Sequence, residues 1–183
     1  MKIALLDVET TGLDASIHEI LEIAVIVFDD DTLKILDKYE TKVYPEHIDT
    51  AHPKALAVNG YTPEEWDKAG AVYLEEMMRS LANGTDGCVF MAFNAPFDLG
   101  FLKQAEKSTG ITLNFKRYPI CLRAIAWATL DHRNPLDTWS MKETCLKLGV
   151  TPEPVQHRAM NGVMCEFEIY KELRDRKSLY NYG

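Results

Sequence analysis

The feature that most restricts the fold is an apolar run near the start of the chain that ends in two acidic residues. Residues 2–8 read Lys-Ile-Ala-Leu-Leu-Asp-Val, and Glu9 follows directly. A run that is apolar at nearly every position is typical of a strand buried on both faces. We therefore expect residues 2–8 to form a central strand of a sheet that helices cover on both sides.

The next two segments predict further strands. Residues 20–28 are apolar apart from Glu22, and the run Asp29-Asp30-Asp31 predicts a turn after them. Residues 33–44 contain a stretch in which charged positions alternate with aromatic, threonine and valine positions, which favours a half-exposed edge strand. Three strands joined by short turns predict an antiparallel meander.

The rest of the chain alternates between helix and strand. Predicted helices cover residues 53–58, a segment starting at Thr62-Pro63, and residues 70–81, 97–107, 122–130, 140–148 and 158–176, and predicted strands cover 88–93 and 118–120. This order predicts an α/β fold, a three-layer sandwich with a mixed five-stranded sheet, the meander first and helices on both faces. No repeat or linker divides the sequence, so we expect a single domain over residues 1–183.

Length and charge exclude several classes of protein. No apolar stretch in the 183 residues approaches the roughly 20 residues of a membrane-spanning helix, so we expect a cytoplasmic protein without a membrane partner. The four cysteines are widely spaced and predict buried thiols rather than a disulfide or zinc framework. A formal charge of −8 disfavours a basic surface for long duplexes. It is compatible with a small-molecule enzyme, or with a nuclease in which divalent cations meet the phosphates of a few terminal nucleotides.

Asp7 and Glu9 are the first candidate metal ligands. They are two residues apart on a predicted strand, so both side chains point to one face. Two carboxylates on a buried face repel each other unless a cation lies between them. The alternative is an ordinary strand–turn junction, because Asp-x-Glu is a common pattern. The complete stretch Asp-Val-Glu-Thr-Thr-Gly after an apolar strand favours the metal site.

Two later segments carry further candidates. Asp98 ends the stretch Asn-Ala-Pro-Phe-Asp and is predicted in the first turn of a helix, where the helix dipole favours an acid even without a function. His157 opens the stretch His-Arg-Ala-Met-Asn-Gly, and an imidazole suits a general base because its pKa is near neutrality. The remaining histidines stand in predicted loops or turns and are expected to be solvated: His18, His47, His52 and His132.

Together these three motifs resemble the DEDDh branch of the DnaQ-like 3′→5′ exonucleases, which have a ribonuclease H-like fold and include proofreading epsilon subunits. The resemblance spans nearly the whole chain, from Asp7-x-Glu9-Thr-Thr-Gly to His157-Arg-Ala-Met. It implies hydrolysis of terminal phosphodiesters at single-stranded or frayed DNA or RNA 3′ ends, with release of nucleoside monophosphates. A DNA polymerase or another replication or repair protein would fit as a partner.

The resemblance also implies a role for each matching residue. Asp7 would bridge two Mg²⁺ or Mn²⁺ ions, Glu9 would bind the first, and Asp98 would hold the second. His157 would orient and deprotonate the water that attacks the terminal phosphodiester. The two metal ions, about 4 Å apart, would stabilise both the attacking and the leaving oxygens. Contacts with the nucleic acid are implied for Thr10, Thr11, Gly12, Asn94 and Phe97.

One position departs from the family pattern. Family members have an aspartate five residues after the histidine, and this position is Gly162 here. Asn161 is neutral and points about 100° away around the helix. Glu166 lies one turn later on the same face, so we expect Glu166 or a water molecule to fill the space left at Gly162. The missing ligand predicts weaker binding of the first ion and an impaired rate.

Three functions stay open at this point. The first is the metal-dependent exonuclease. The second is a catalytically inactive protein of the same fold that binds nucleic-acid ends or associates with a polymerase, and Gly162 is the residue that favours it. The third is a metal-dependent phosphohydrolase of nucleotides.

Overall fold

The structure, a computed structural model, describes residues 1–116, 118–130, 138–154 and 156–179, with side chains as far as residue 176. Its strands are β1 (Lys2–Thr10), β2 (Ile20–Asp29), β3 (Ile35–Lys42), β4 (Val89–Ala92) and β5 (Ile120–Cys121). They form one mixed sheet in the order β3-β2-β1-β4-β5. β1 is antiparallel to β2 and parallel to β4, so β1 and β4 end at the same edge of the sheet. The predicted α/β fold with an initial meander is confirmed.

The helices of the described residues surround this sheet. They are α1 (Pro53–Asn59), α2 (Pro63–Lys68), α3 (Leu74–Thr85), α4 (Ala95–Thr109), α5 (Leu122–Thr129), α6 (Met141–Leu148) and α7 (Ala159–Leu179). α6 begins at a capping box, in which the Ser140 hydroxyl accepts a hydrogen bond from the Glu143 N–H at 3.2 Å. Within these described stretches, no helix is both long and apolar enough to cross a bilayer.

β1 sends alternate side chains into two apolar cores, one on each face of the sheet. Ile3 and Leu5 belong to the core built with α5, α6 and α7, whereas Ala4, Leu6 and Val8 belong to the core built with α3 and α4. All five are at most 5% exposed, as expected for a central strand. Because side chains alternate along a strand, Asp7 and Glu9 continue the first set and face the α7 side.

Two of the element boundaries that differ from the predictions have a clear backbone cause. α3 covers Leu74–Thr85 rather than residues 70–81, because Gly70 adopts a φ of 69° and Val72 forms an isolated bridge with Val43 that keeps the chain extended. β3 begins at Ile35 rather than at residue 33, because Leu33 has a φ of 57°, outside the strand region. Both differences arise from backbone geometry that the apolar pattern does not encode.

The cysteines are free thiols, as expected. Cys88, Cys145 and Cys165 are buried, and Cys121 is partly exposed. The sulfur atoms of Cys145 and Cys165 lie 3.0 Å apart where α6 packs on α7. This contact helps to fix α6 against α7, the helix that carries Gly162 and Glu166.

Candidate active site

Asp7 and Glu9 stand near the carboxyl end of β1. The Glu9 side chain is 12% exposed, and Asp7 is also only partly exposed. The neighbouring acid on β2, Glu22, lies opposite Glu9 and is already paired with Lys42 at 2.7 Å. β1 consequently presents two carboxylates at the sheet edge where β4 also ends.

Asp98 reaches this edge from the adjacent parallel strand. α4 begins three residues after β4, and Asp98 lies in its first turn, as predicted. The residue is 3% exposed, and its Oδ1 atom is buried without a hydrogen-bond partner. A buried carboxylate oxygen in this condition is costly unless a donor or a cation approaches it.

Gly162 lies on α7 directly against Asp7. A Cβ atom placed on Gly162 would be 3.0 Å from Asp7 Cγ and still closer to Asp7 Oδ2. Such distances are inside van der Waals contact, so the Asp7 carboxylate occupies the space where a side chain at position 162 would begin. In this conformation Asp7 requires a residue without a side chain opposite it.

Glu166 lies one turn further along α7 and is 2% exposed. Its Oε1 accepts a hydrogen bond from the Phe93 N–H at 3.1 Å, and its Oε2 is buried without a partner. We expected Glu166 or water in the space at Gly162, but the atoms nearest to that space belong to Asp7. The reason is that Glu166 is tied to the backbone just beyond β4, whereas Asp7 faces Gly162 directly.

His157 stands at the rim of the same region, just before α7. Its side chain is 42% exposed, and its Nδ1 atom is 3.4 Å from Glu153 Oε1 and 3.8 Å from Glu9 Oε1. Its backbone N–H donates to the Val58 carbonyl at 3.3 Å, which ties this segment to α1. The end of β1, the first turn of α4 and the start of α7 thus converge.

Glu153 belongs to this group, although the sequence analysis did not identify it. It lies in the loop between α6 and α7, its side chain is 13% exposed, and its Oε2 is buried without a partner. A single acid in a loop has no periodic pattern. Its one signal in the sequence is its position between Pro152 and Pro154, four residues before His157.

The five acids strongly affect one another. Burial, followed by the charge of Glu153, raises the pKa of Glu9 to about 8. Burial raises the pKa of Asp98 to about 7 and that of Asp7 well above its usual value, with Glu166 contributing most among the charges around Asp7. Burial also raises the pKa values of Glu153 and Glu166. Each group is therefore most stable when a proton or a cation neutralises it.

All five acids and His157 line one cleft of about 640 Å³. This volume lies within the range of roughly 300–1,000 Å³ found for small-molecule and cofactor sites. Four of the five residues expected to contact nucleic acid also line it: Thr10, Gly12, Asn94 and Phe97. An apolar wall that includes Leu13 and Phe97 thus lies near the carboxylates.

The fifth expected contact residue, Thr11, does not line the cleft. It is fully buried, and its N–H donates to the Glu19 carbonyl at 2.8 Å. Its hydroxyl accepts a hydrogen bond from the Glu19 N–H, also at 2.8 Å. These bonds close the turn between β1 and β2, and the contact with nucleic acid implied for Thr11 stays a prediction.

Four basic side chains line the cleft although the sequence analysis did not place them there: Arg123, Lys54, His18 and His52. Arg123 lies with its guanidinium carbon 5.4 Å from the Phe93 ring centroid, and its Nε is buried without a partner. His52 is exposed, as expected of a solvated side chain, whereas His18 is only partly exposed because its ring packs against Gly12. Loops that the fold brings to the cleft carry both histidines, and a pattern confined to one segment cannot show this.

A second group of possible metal ligands lies elsewhere. Among the residues that the structure describes, Glu19, Glu46 and His47 are the only three whose ligand atoms all lie within 4.8 Å of one another. The Glu19 carboxylate is already occupied there, since it accepts the backbone N–H groups of Glu46 and His47 at 3.0 and 2.8 Å. The cleft carboxylates do not form such a close group in the described residues, so ions bound there would draw them closer together. His132 lies outside the described residues.

The family model and the related sequences agree on one protein family for this chain. The model of a family described as Exonuclease matches residues 5–170. The chain is 28% identical over 165 residues to a DNA polymerase III PolC-type protein of Thermotoga petrophila, covering 90% of this chain but 11% of that protein. It is 33% identical over 112 residues to Ribonuclease T of Shewanella denitrificans, covering 55% of this chain and 49% of that protein.

Solved structures agree in fold. Escherichia coli exonuclease I in complex with a dT13 oligonucleotide superposes with a TM-score of 0.81 at 15% identity, over 99% of this chain and 43% of that one. The nuclease domain of 3′hExo, a DEDDh family member bound to rAMP, gives a TM-score of 0.75 at 19% identity, over 95% of this chain and 92% of that one. Since the family model covers most of its length, the chain belongs to the exonuclease family, whose DnaQ-like members share the ribonuclease H-like fold.

Proposed function

We propose that the protein is a metal-dependent 3′→5′ exonuclease that hydrolyses the terminal phosphodiester of single-stranded or frayed DNA or RNA and releases nucleoside monophosphates. The observation that carries the proposal is the presence of Asp7, Glu9, Asp98 and His157 in one cleft. In this proposal, residues 1–183 act as one nuclease domain.

The acids of the cleft fit a pair of divalent cations. Asp98 Oδ1 and Glu166 Oε2 are buried without hydrogen-bond donors, and a cation would satisfy both atoms. Carboxylate oxygens are the ligands that Mg²⁺ and Mn²⁺ prefer. Asp7, which is repelled by Glu166, Asp98 and Glu9, would be one of the carboxylates that hold the ions. When bound, such a pair activates a water molecule and stabilises the attacking and leaving oxygens.

His157 would accept the proton of the attacking water. Its Nδ1 atom faces Glu153 and Glu9 at 3.4 and 3.8 Å. Carboxylates beside Nδ1 favour the tautomer that is protonated there, which leaves Nε2 free to accept a proton. Arg123, with its unpartnered buried Nε, would place a fixed positive charge near the substrate phosphate.

The shape and charge of the molecule support the end of a strand as substrate. The cleft holds the exposed side chain of Leu13 and the Phe97 ring beside the acids, and such groups contact bases and sugars. The net charge of −8 disfavours extended duplex binding. The 3′hExo domain bound to rAMP and the exonuclease I complex with dT13 support a nucleotide end in this cleft. The PolC-type relatives support a DNA polymerase as partner.

Gly162 supports a second candidate, an inactive protein that binds nucleic-acid ends or associates with a polymerase. The family aspartate is missing there, and the Asp7 side chain fills its space. Weaker binding of one ion would lower the rate, since the ions neutralise charge that develops on the phosphate. We therefore expect the exonuclease to be slow rather than absent.

The test uses 5′-labelled DNA and RNA oligonucleotides with Mg²⁺ or Mn²⁺. We expect a ladder that shortens from the 3′ end with the unaltered chain, and no ladder with Asp98→Asn or His157→Ala. A ladder that forms only with Gly162→Asp would favour the inactive binding protein. Hydrolysis of nucleotides with intact oligonucleotides would overturn both and indicate a nucleotide phosphohydrolase.

A further inference from the structure

We infer that Glu153 supplies the fourth carboxylate of the metal site, in place of the side chain that Gly162 lacks. This inference rests on the proposed function, because it assigns a ligand to the same two metal ions. The fourth ligand would then lie in the loop between α6 and α7 instead of on α7, and this loop contains no recognisable motif.

Glu153 lies on the Glu9 side of the cleft. Its Oε1 is 3.4 Å from His157 Nδ1, and Glu9 Oε1 is 3.8 Å from the same nitrogen, so the two oxygens are at most about 7 Å apart. Two ligands of one small cation need a separation of roughly 3–4 Å. A cation shared by Glu9 and Glu153 would therefore draw the two carboxylates closer together.

The second oxygen of Glu153 is available as a ligand. Glu153 Oε2 is buried and accepts no hydrogen bond, and the side chain as a whole is 13% exposed. A buried carboxylate oxygen without a donor is unfavourable unless a cation approaches it. A cation shared with Glu9 would satisfy this atom and remove the repulsion between the two acids.

The loop restricts the backbone that carries this carboxylate. Pro152 and Pro154 flank Glu153, and α6 ends directly before the loop at Gly149 with a φ of 77°. Proline fixes its own φ and restricts the residue before it to extended conformations. The backbone at Glu153 is thus restricted before a metal ion binds, which lowers the entropy cost of binding.

The other acids fit this role less well. Glu166 uses Oε1 to accept the Phe93 N–H, and the charge that acts most strongly on Glu9 is that of Glu153 rather than Glu166. Asn161, next to Gly162, is exposed and lines a different cleft. Glu153, whose Oε2 has no partner although Oε1 lies beside His157, is therefore the acid next to Glu9 that has an oxygen available for a cation.

The experiment titrates metal-free protein with Mn²⁺ by calorimetry. We expect two ions for the unaltered chain, and at least about a 10-fold loss of affinity at one of the two sites for Glu153→Gln. Glu168→Gln is the matched control, because Glu168 is 47% exposed on the neighbouring helix and pairs with Lys171. We expect its Mn²⁺ affinity to stay within about 2-fold of the original, as for a surface acid.

A double variant tests the substitution of one ligand for another. Glu153→Gln combined with Gly162→Asp returns a carboxylate to the Glu9 side, so Mn²⁺ affinity should recover relative to Glu153→Gln alone. If Glu153 only orients His157, Glu153→Gln would bind Mn²⁺ like the original and shift only the pH profile of the reaction. That result would overturn the inference.

Failure of the inference can be told from failure of the proposed function. If the unaltered chain binds two Mn²⁺ ions and Glu153→Gln binds them equally well, only the role of Glu153 is overturned. If the unaltered chain binds no Mn²⁺, the metal-dependent nuclease is overturned as well. Thermal unfolding in EDTA verifies that each variant is folded, and removing one of several repelling acids should not lower the midpoint.

Discussion

Replacing Gly162 by aspartate should destabilise the metal-free protein and, at the same time, strengthen its binding of metal. The reason is the contact between Gly162 and Asp7, in which a new Cβ atom would lie 3.0 Å from Asp7 Cγ. Asp7 must rotate away to admit the new side chain. The added carboxyl then enters the buried, acidic surroundings that already raise the pKa of Asp7.

The magnitude follows from two costs. Moving the Asp7 side chain off its preferred rotamer costs about 1 kcal/mol. In metal-free protein the new carboxyl would be protonated, and protonating a group with an ordinary pKa of about 3.9 costs up to about 4 kcal/mol at pH 7 and about 1.5 kcal/mol at pH 5. The higher helix propensity of aspartate relative to glycine offsets only a few tenths of a kcal/mol of this loss. The expected loss is at most about 5 kcal/mol at pH 7 and about 2 kcal/mol at pH 5.

Thermal unfolding followed by circular dichroism in EDTA measures this loss. For a chain of this size, about 1 kcal/mol corresponds to a shift of roughly 2–4 °C in midpoint, so the pH 7 shift should be on the order of 10 °C and the pH 5 shift about half that or less. Gly162→Asn is the matched control, since it brings the same steric cost without a titratable group. Its loss should be smaller and independent of pH.

Saturating Mn²⁺ should then offset part of this loss. The Gly162→Asp variant gains a metal ligand, so its midpoint should rise more with Mn²⁺ than that of the unaltered chain. The reasoning would be refuted if the Asp and Asn variants lost equal stability at both pH values. It would also be refuted if Mn²⁺ stabilised the Asp variant no more than the original chain.

Three further predictions follow from the site. Burial raises the pKa of Asp98 to about 7, so the folded state holds a proton there that the unfolded state releases near pH 4. The free energy of unfolding of the metal-free protein should therefore fall as pH rises from about 4 to 7. Urea unfolding should show a weaker fall for Asp98→Asn, and Mn²⁺ should reverse the fall in the unaltered chain. Arg123→Ala should raise KM for an oligonucleotide roughly 10- to 100-fold with little change in the unfolding midpoint, and an unchanged KM would exclude a phosphate contact. Glu22→Ala should lower the free energy of unfolding by roughly 3–5 kcal/mol, because Glu22 pairs with Lys42 at 2.7 Å and accepts the Ala159 N–H at 3.0 Å. Glu22→Gln keeps a hydrogen-bond acceptor, so its free energy of unfolding should fall less in the same urea assay.

Much of the fold and part of the candidate site could be predicted because local rules suffice for them. The apolar run of β1 indicates burial on both faces, and the period of two places Asp7 and Glu9 together on the α7 side. Asp98 was expected in the first turn of a helix after a strand, and it lies there. Each of these features depends on residues within a few positions of one another.

Other features depend on contacts between distant segments. The start of α3 is set by the bridge between Val43 and Val72, which the helical pattern of residues 70–81 does not contain. Arg123 reaches the cleft because α5 follows β5 at the sheet edge, and neither short element carries a motif. Helix and strand patterns describe one segment at a time, so they cannot report which loops meet.

By itself, the sequence determined the strand that carries the acids, the side they share and the absence of a carboxylate at Gly162. Only the tertiary structure decided that Asp7 fills the space beside Gly162 and that Glu153 stands next to His157. The physical reason is that side-chain spacing along one strand or helix is fixed by backbone geometry. The distance from α7 to β1, or from the α6–α7 loop to the cleft, is fixed by how the helices pack on the sheet.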